Sequence, residues 1–340
     1  MVNTPHISFN ANDRSYLSIL KKEIHRMVAQ NGFEQKKIDE IDLLVAEIGS
    51  NLVKHATGGE ILAGVVEQEG VIALELIGID SGPGIADPEK MMQDGYSTTS
   101  TMGHGLGSIR RLSDAFELYT KKDWGTILLS RVFNKTSLPK INRPPSLQLR
   151  ALVVAKPGEL VSGDGCFSMK ADNGIIKLLA ADGLGHGAEA NRAVREAILA
   201  FKTIDSNSPS EILRHIHASI KKTRGVVATI VLIDNIKKTW NICGIGNIST
   251  RLNGFQKSRS YISNNGIVGH NIPHTLNDQE LSQNDFQQII LCSDGIRSRW
   301  EQAKLPAIQK YDLIVQAAAL YKDYGRKTDD MSIVMGRAFL

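Results

Sequence analysis

Two helix-and-strand patterns of unequal strand content, parted by a proline-rich stretch, predict an α+β chain built of two units. The first half runs two amphipathic helices and then antiparallel strand patterns, which suggests a two-layer α/β sandwich. The second half is richer in strands, with its helices grouped between them, which suggests sheets in the centre and helices outside. Between the halves, residues 134–148 (NKTSLPKINRPPSLQ) hold three of the ten prolines and little apolar periodicity. Pro144-Pro145 favours extended backbone, because each proline also restricts the residue before it. The expected organisation is a domain over 1–135, a linker over 136–148 and a second domain over 149–340.

The bulk composition agrees with two ordinary domains. The chain has 340 residues, 42% hydrophobic and 22% charged, a length and mix typical of globular proteins. No apolar run approaches the ~18 residues needed to cross a bilayer. The opening MVNTPHISFN lacks the basic and apolar regions of a signal peptide. Three separated cysteines, Cys166, Cys243 and Cys292, form no CxxC pair and read as those of a reduced, cytoplasmic protein; Cys243 and Cys292, in strand patterns, read as buried apolar residues. The net charge of +4 is spread among acidic residues, and aromatics are 6%. That gives little support to a nucleic-acid partner, so neither a nucleic acid nor a membrane is expected.

In the first half, Leu17, Leu20, Ile24, Met27 and Val28 share one helical face, with Asn12 or Asp13 able to cap it. A second helix is expected over 35–55, its buried stripe formed by Ile38, Ile41, Val45, Ile48 and Leu52. Strands EILAGVVEQ and VIALELIGID follow, joined at Glu69-Gly70. Next come a glycine-rich loop, a helix over about 106–115, and a hairpin of FELYTKK and TILLSRVF around Asp123-Trp124-Gly125. In the second half the expected strands are LRALVVA, GCFSMKA, IIKLLAAD, VVATIVLID, TWNICGIG, FQQIILCSD and SIVMGRAFL. Helices are expected over 188–202, 210–222 and 311–321.

One constellation suits a nucleotide. Glu47, Asn51 and His55 lie at i, i+4 and i+8 of the second helix and line one face; alone, this is most simply a solvated stripe. A strand then ends at Asp80 and continues SGPGI, where Gly82 and Gly84 permit close approach of backbone. The run DGYSTTSTMGHGLGSIRRL carries glycines at 103, 105 and 107 ahead of a helix, and backbone N–H groups at a helix start are a common phosphate binder. Gly125-Thr126 opens the last strand. Taken together and in this order, these four elements resemble the GHKL ATPase family. The resemblance implies that Asn51 helps coordinate Mg²⁺, Asp80 accepts from the adenine amino group, and Gly82 and Gly84 pass beneath the base. It also implies that Gly103, Gly105, Leu106 and Gly107 cradle the phosphates of ATP and that Thr126 lies near adenine. Glu47 would be the general base for an attacking hydroxyl. The lid is short, and DGYSTTSTMGHGLGSIRRL most closely resembles the RsbT-type serine kinases of partner switching, a resemblance that implies phosphorylation of STAS-domain proteins. His104 is read as lining the lid rather than as a catalyst.

A second constellation suits a metal. Asp164 lies in VSGDG, Asp182 ends IIKLLAAD, Asp294 ends IILCSD, and Asp329-Asp330 precede MSIVMGR. Carboxylates at the ends of buried strands are costly unless paired or bound to a cation. Any one alone reads most simply as a turn or cap residue; together, without a Cys/His set, they point to Mg²⁺ or Mn²⁺. The order GD, DGxGxG, SDG, DDMS resembles the PP2C-type phosphatases of the SpoIIE/RsbX branch, which implies an αββα sandwich. By that resemblance Asp164, Asp182, Asp294 and Asp329 hold two metals, the Gly183 carbonyl adds a ligand, and Asp330 joins the set by orienting its neighbour. The metals would lower the pKa of a bridging water that attacks phosphorus in line. CGIGNIST, over 243–250, is similar to the family's hairpin near the site, whereas Gly165-Cys166-Phe167 departs from the residues usual after the first GD. His186, at a helix start, is read as packing or capping, with a general-acid role left open.

The expectation is a bifunctional partner-switching regulator, an ATP-dependent Ser/Thr kinase and metal-dependent phosphatase acting on a STAS-domain phosphoprotein, with a homodimer left open. The alternative is a phosphatase whose ATP-binding domain is a nucleotide sensor or docking module. A third reading is a binding protein in which both folds have lost catalysis; four intact carboxylate positions speak against it.

Overall fold

The computed structural model describes residues 5–11, 13–56, 58–68, 70–92, 105–134, 146–301 and 304–339. The chain divides into two compact units, one of His6–Lys140 with Gln302–Lys322, the other of Ile141–Glu301 with Asp323–Leu340 and Met1–Pro5. The expected linker over 136–148 falls mostly outside the described residues; its last two positions already belong to a strand.

The first unit begins with β1 (Ile7–Asn10), α1 (Arg14–Gln30) and α2 (Gln35–His55), followed by β2 (Glu60–Gln68) and β3 (Val71–Ile79). Then come the short α3 (Pro88–Met91), α4 (Gly105–Leu112), β4 (Ala115–Lys121) and β5 (Gly125–Phe133). The strands form one antiparallel sheet in the order β1-β2-β3-β5-β4. One face packs on the helices: Leu20, Ile24, Ile41, Leu44 and Ile48 bury against Ile61, Ala63, Leu74 and Leu76. This is the expected two-layer sandwich, with α2 carrying Lys54 in its last turn, a cation that suits a helix C-terminus. Helix α4 stops before its expected end at 115, because the Asp114 N–H donates to the Arg131 carbonyl at 2.8 Å and starts the strand.

The second unit contains β6 (Leu147–Val154), β7 (Asp164–Lys170), β8 (Ile176–Gly183), α5 (Ala188–Thr203) and α6 (Pro209–Ser219). It continues with β9 (Val226–Asp234), β10 (Thr239–Ile245), β11 (Ser249–Asn253), β12 (Ser258–Tyr261), β13 (Gln279–Ser282), β14 (Gln288–Cys292) and β15 (Met331–Ala338). These make two five-stranded sheets, β13-β10-β9-β8-β7 and β12-β11-β14-β15-β6. Leu178, Val231 and Ile242 of one sheet share a core with Val153, Leu252, Ile289 and Val334 of the other. Helices α5 and α6 cover the first sheet through Val194, Phe201, Ile212 and Ile216. Ser208 caps α6 by accepting from the Glu211 N–H, and Pro209 takes the first turn, where its missing N–H costs nothing. All three cysteines are free and buried.

Helix α7 (Leu313–Tyr324) follows β14 in the chain, yet the stretch that carries most of it groups with the first unit. Asp312 starts the helix by accepting from the Ile314 N–H at 2.9 Å, two residues later than expected. Its contacts lie on the sheet face opposite α1 and α2. The Arg131 guanidinium donates to both Asp312 oxygens at 2.9 and 3.1 Å, and the Asp312 N–H donates to Glu117 at 2.7 Å. Tyr321 donates to Glu60 at 2.6 Å, and the Tyr311 ring stands edge-on to Tyr119. The fold class is α+β, a two-layer sandwich in the first unit and a double sheet with helices outside it in the second. No helix among the described residues is long and apolar enough to cross a membrane.

Candidate active sites

In the first unit, α2 presents Asn51 to the start of α4. The Asn51 amide occupies the space beside Gly105, with its oxygen 3.0 Å from where a side chain there would begin. The Asn51 Nδ2 is buried and has no hydrogen-bond partner among the described residues. Glu47, one turn earlier on the same helix, is half-buried. Gly105, Leu106 and Gly107 form the first turn of α4, and Gly107 is buried. Gly103 and His104 lie outside the described residues.

Asp80 is fixed where β3 ends. Its N–H donates to the Thr126 carbonyl at 3.0 Å, and its Oδ1 accepts from the Gly82 N–H at 2.7 Å. Burial raises its pKa, opposed by the Gly82 and Thr126 hydrogen bonds and by the charge of Lys322. The backbone around it leaves no room: Gly125 adopts φ +113°, and a side chain there would begin 2.1 Å from the Asp80 carbonyl oxygen. Gly84 is pressed in the same way against the Lys121 carbonyl. Sequence reasoning missed Thr120, whose hydroxyl accepts from the Ile85 N–H at 2.8 Å and lies 3.3 Å from that of Thr126. It also missed Lys322, whose ammonium lies 4.1 Å over the Trp124 ring. Lys322 comes from a distant part of the chain, so no local motif could have announced it.

In the second unit, the register of β7 and β8 sets Asp164 directly opposite Asp182. Burial pushes both carboxyl groups to higher pKa; for Asp164 the charges of Asp330 and Asp294 add to this, and for Asp182 those of Asp164, Asp294 and Asp329. The Ser293 and Ser332 hydroxyls pull Asp164 the other way. These serines belong to the SDG and DDMS runs, and sequence reasoning read only the aspartates there. Asp294 is exposed, and its Oδ2 accepts from Asn247 at 3.0 Å; Asn247 sits in the CGIGNIST stretch. Asp329 is half-buried and accepts from the Asp330 N–H at 2.9 Å.

Asp330 has a different task from its neighbour. Its two oxygens accept from the Lys156 and Gly163 N–H groups, each at 2.9 Å, and so tie the loop before β7 to the start of β15. Gly183 donates to the Gly163 carbonyl at 2.9 Å, and a side chain on it would collide with the Ala190 carbonyl of α5. Glycine is thus required for α5 to pass this close to the end of β8. His186 is exposed and outside the helix, with Nδ1 2.7 Å from Glu159.

Among the described residues no three His, Cys, Asp or Glu side chains close around one point as a finished cation cage. The donor set still fits a hard divalent ion. It is all oxygen, its members raise one another's pKa, and Asp164 Oδ2 is buried without a hydrogen-bond partner, a group expensive to leave unpaired.

Residues 9–131 match the family model of the histidine kinase-like ATPase domain. Over 123 residues, 34% of this chain and 92% of the relative, the sequence is 33% identical to the serine/threonine-protein kinase RsbT of Bacillus subtilis. Over 187 residues, 54% of this chain and 90% of the relative, it is 25% identical to the phosphoserine phosphatase RsbX of Bacillus subtilis. A solved structure from work on the bacterial stressosome, described as a modular system adapted to control secondary messenger signaling, superposes with a TM-score of 0.52. It is 28% identical, with 57% of this chain and 100% of that chain covered. The crystal structure of RsbX in complex with magnesium superposes with a TM-score of 0.51 at 20% identity, covering 58% and 98%, a likeness of fold. Through its N-terminal region the chain belongs to the RsbT-type kinase family, and its C-terminal region carries the PP2C-type fold of the RsbX phosphatases.

Proposed function

We propose that the chain is a bifunctional partner-switching regulator, a protein Ser/Thr kinase and a protein phosphatase acting on the same class of STAS-domain phosphoprotein. The observation that carries the phosphatase half is Asp164 facing Asp182 across β7 and β8, with an unpartnered buried oxygen. Asp164, Asp182, Asp294, Asp329 and the Gly183 carbonyl would hold Mg²⁺ or Mn²⁺. When bound, these ions supply positive charge to the phosphoryl group and acidify water. The residues of the chain hold the carboxylates in place: Ser293 and Ser332 beside Asp164, Asn247 on Asp294, and Asp330 clamping the loop that delivers Asp164.

In the kinase half, Asp80 and Thr126 would read the adenine edge, and Gly82 and Gly84 would leave room for the base. Gly103, Gly105, Leu106 and Gly107 would bind phosphates, and Asn51 the accompanying Mg²⁺. Glu47, on the face of α2 that carries Asn51, would take the proton of the substrate hydroxyl. The alternative, a nucleotide sensor, is favoured by one observation: Lys322, from the C-terminal half of the sequence, lies close enough to Asp80 to hold its pKa down.

Transfer of γ-³²P from ATP to a STAS-domain protein, lost in Glu47→Ala, is the expected result for the kinase. If ATP changed dephosphorylation while no label reached the substrate, the sensor reading would replace it. Mn²⁺-dependent release of phosphate from the labelled substrate, abolished in Asp182→Asn, is expected for the phosphatase; equal inactivity of both proteins would favour a binding role.

A further inference from the structure

Beside the Asp182 loop stands an arginine that the phosphatase motifs do not include. Strand β8 ends at Gly183, and residues 184–187 lead into α5. Alongside them, residues 223–225 form the turn that opens β9. The two are stitched together, since the Leu184 N–H donates to the Gly225 carbonyl at 3.2 Å. The turn itself is anchored: the Gly225 N–H donates to the Thr223 hydroxyl at 3.0 Å, and His270 Nε2 lies 2.9 Å from the Arg224 carbonyl. A side chain on Gly225 would meet His270, Ile267 and Val268, so the turn has no slack.

From this fixed backbone the Arg224 side chain reaches over the loop, its Nη1 3.1 Å from the point where a side chain on Gly185 would begin. Gly185 is three positions after Asp182 in the sequence. Arg224 is exposed, and among the described residues its guanidinium has neither an ion pair nor a hydrogen bond. Its neighbours are engaged: Arg192 pairs with Glu189 and Glu196, and His186 with Glu159. An arginine with only a structural task near so many carboxylates would be expected to take one of them. Left free over the loop that follows Asp182, its planar fork suits a phosphate dianion, two of whose oxygens can accept from it at once.

We propose that Arg224 binds the phosphoryl oxygens of the phosphoserine or phosphothreonine substrate and positions that group at the Asp164–Asp182 cluster. The inference rests on the phosphatase reading above. A phosphate monoester dianion approaching four carboxylates is repelled unless cations offset the charge. Metal ions at the aspartates offset part of it, and a guanidinium at the rim offsets more and fixes the orientation of the group. The alternative is an arginine whose head group merely covers Gly185. That reading predicts a change in stability and none in phosphate recognition.

The test uses the full chain with Mn²⁺, a phosphorylated peptide and inorganic phosphate as the probe. Arg224→Ala should raise KM and the inhibition constant of inorganic phosphate together, by about 10- to 100-fold, the range for losing a charged hydrogen-bonding partner. Arg224→Lys should recover part of both, and Arg192→Ala should change neither. Calorimetric binding of inorganic phosphate to the Mn²⁺-loaded chain gives a readout free of turnover. Phosphate affinity within twofold of wild type in Arg224→Ala overturns the proposal, whether or not the chain hydrolyses the peptide. Absence of hydrolysis by wild type overturns the phosphatase reading instead.

Discussion

Replacing Arg131 with Met removes the guanidinium that holds buried Glu75 and half-buried Asp312 together. Arg131 stands opposite Glu75 across β3 and β5, its Nε donates to Glu75, and Nη1 and Nη2 donate to Asp312. His6 Nε2 lies 3.0 Å from Glu75 on the other side, over Gly64, which leaves space for the ring. The side chains of His6, Glu75 and Arg131 are at most 5% exposed and that of Asp312 is 10% exposed. Burial would raise the Glu75 pKa; the Arg131 charge and then His6 outweigh it and hold the group near 2. Arg131→Met therefore leaves Glu75 and Asp312 without a shared cation, a loss of about 3–5 kcal/mol. Asp312→Asn leaves Arg131 paired with Glu75 and retains an acceptor, so its cost is smaller, about 1–3 kcal/mol.

For a unit of this size each kcal/mol moves the melting temperature by about 2–4 °C. Scanning calorimetry of the full chain should therefore show a fall of about 6–20 °C for Arg131→Met and of about 2–12 °C for Asp312→Asn. Hydrogen exchange should rise across 313–324 in both variants, because Asp312 is both the partner of Arg131 and the residue that starts α7. An Arg131→Met protein that melts with the wild type, or is more stable than Asp312→Asn, would refute the account of the row as a single charge-balanced unit.

The same row sets a pH dependence. Glu75 has a lower pKa folded than unfolded, so its contribution is complete above its ordinary value of 4.5 and is lost as pH falls toward about 2; urea melts of Glu75→Gln should be flatter over that interval. Gly125→Ala should weaken binding of a fluorescent ATP analogue at least tenfold, by forcing the Asp80 backbone away from a clash at 2.1 Å; an unchanged Kd would show that Asp80 does not read the base. Asp330→Asn, which replaces an acceptor of two N–H groups by an amide with one acceptor, should lower Mn²⁺ affinity about tenfold, measured by activity against Mn²⁺ concentration. A fragment ending at residue 140 should be poorly soluble, because it uncovers the Leu62, Ile77 and Leu129 face; a monomeric, cooperatively melting fragment would contradict this.

What the sequence disclosed depended on how local the cause was. Helix α2 and strands β2 and β9 fall on their expected bounds, because an amphipathic stripe or an unbroken apolar run fixes them without help from elsewhere. Strands β1, β12 and β13, each four residues long and largely exposed or mixed in burial, have no such pattern; their partners make them strands. The aspartates were legible because a carboxylate at the end of an apolar strand is costly and so conspicuous. Ser293, Ser332 and Asn247 were not, since hydroxyl and amide groups near a turn are ordinary there. The role of Asp330 as a clamp also needed structure: two adjacent aspartates look alike until one is seen to accept two backbone N–H groups.

Helix α7 shows the limit most clearly, because its sequence was legible and its place was not. LIVQAAALY is apolar almost all round, and each of its nine residues is buried, the signature of a helix enclosed on every side rather than laid on a surface. Position in the chain, between the SDG and DDMS runs, assigns it to the second half. Its partners say otherwise: Arg131, Glu117, Glu60 and Tyr119 all lie in the first unit. The cause is the buried Arg131, which the sequence shows only as one basic residue in an apolar strand. A charge in that place demands a carboxylate on each side. Glu75 is local to the sheet, while Asp312 has to be brought in from 181 residues away. The stretch that brings it leaves the second unit after Asp294 and returns before Asp329, so the chain that supplies two of the candidate metal ligands also completes the first unit.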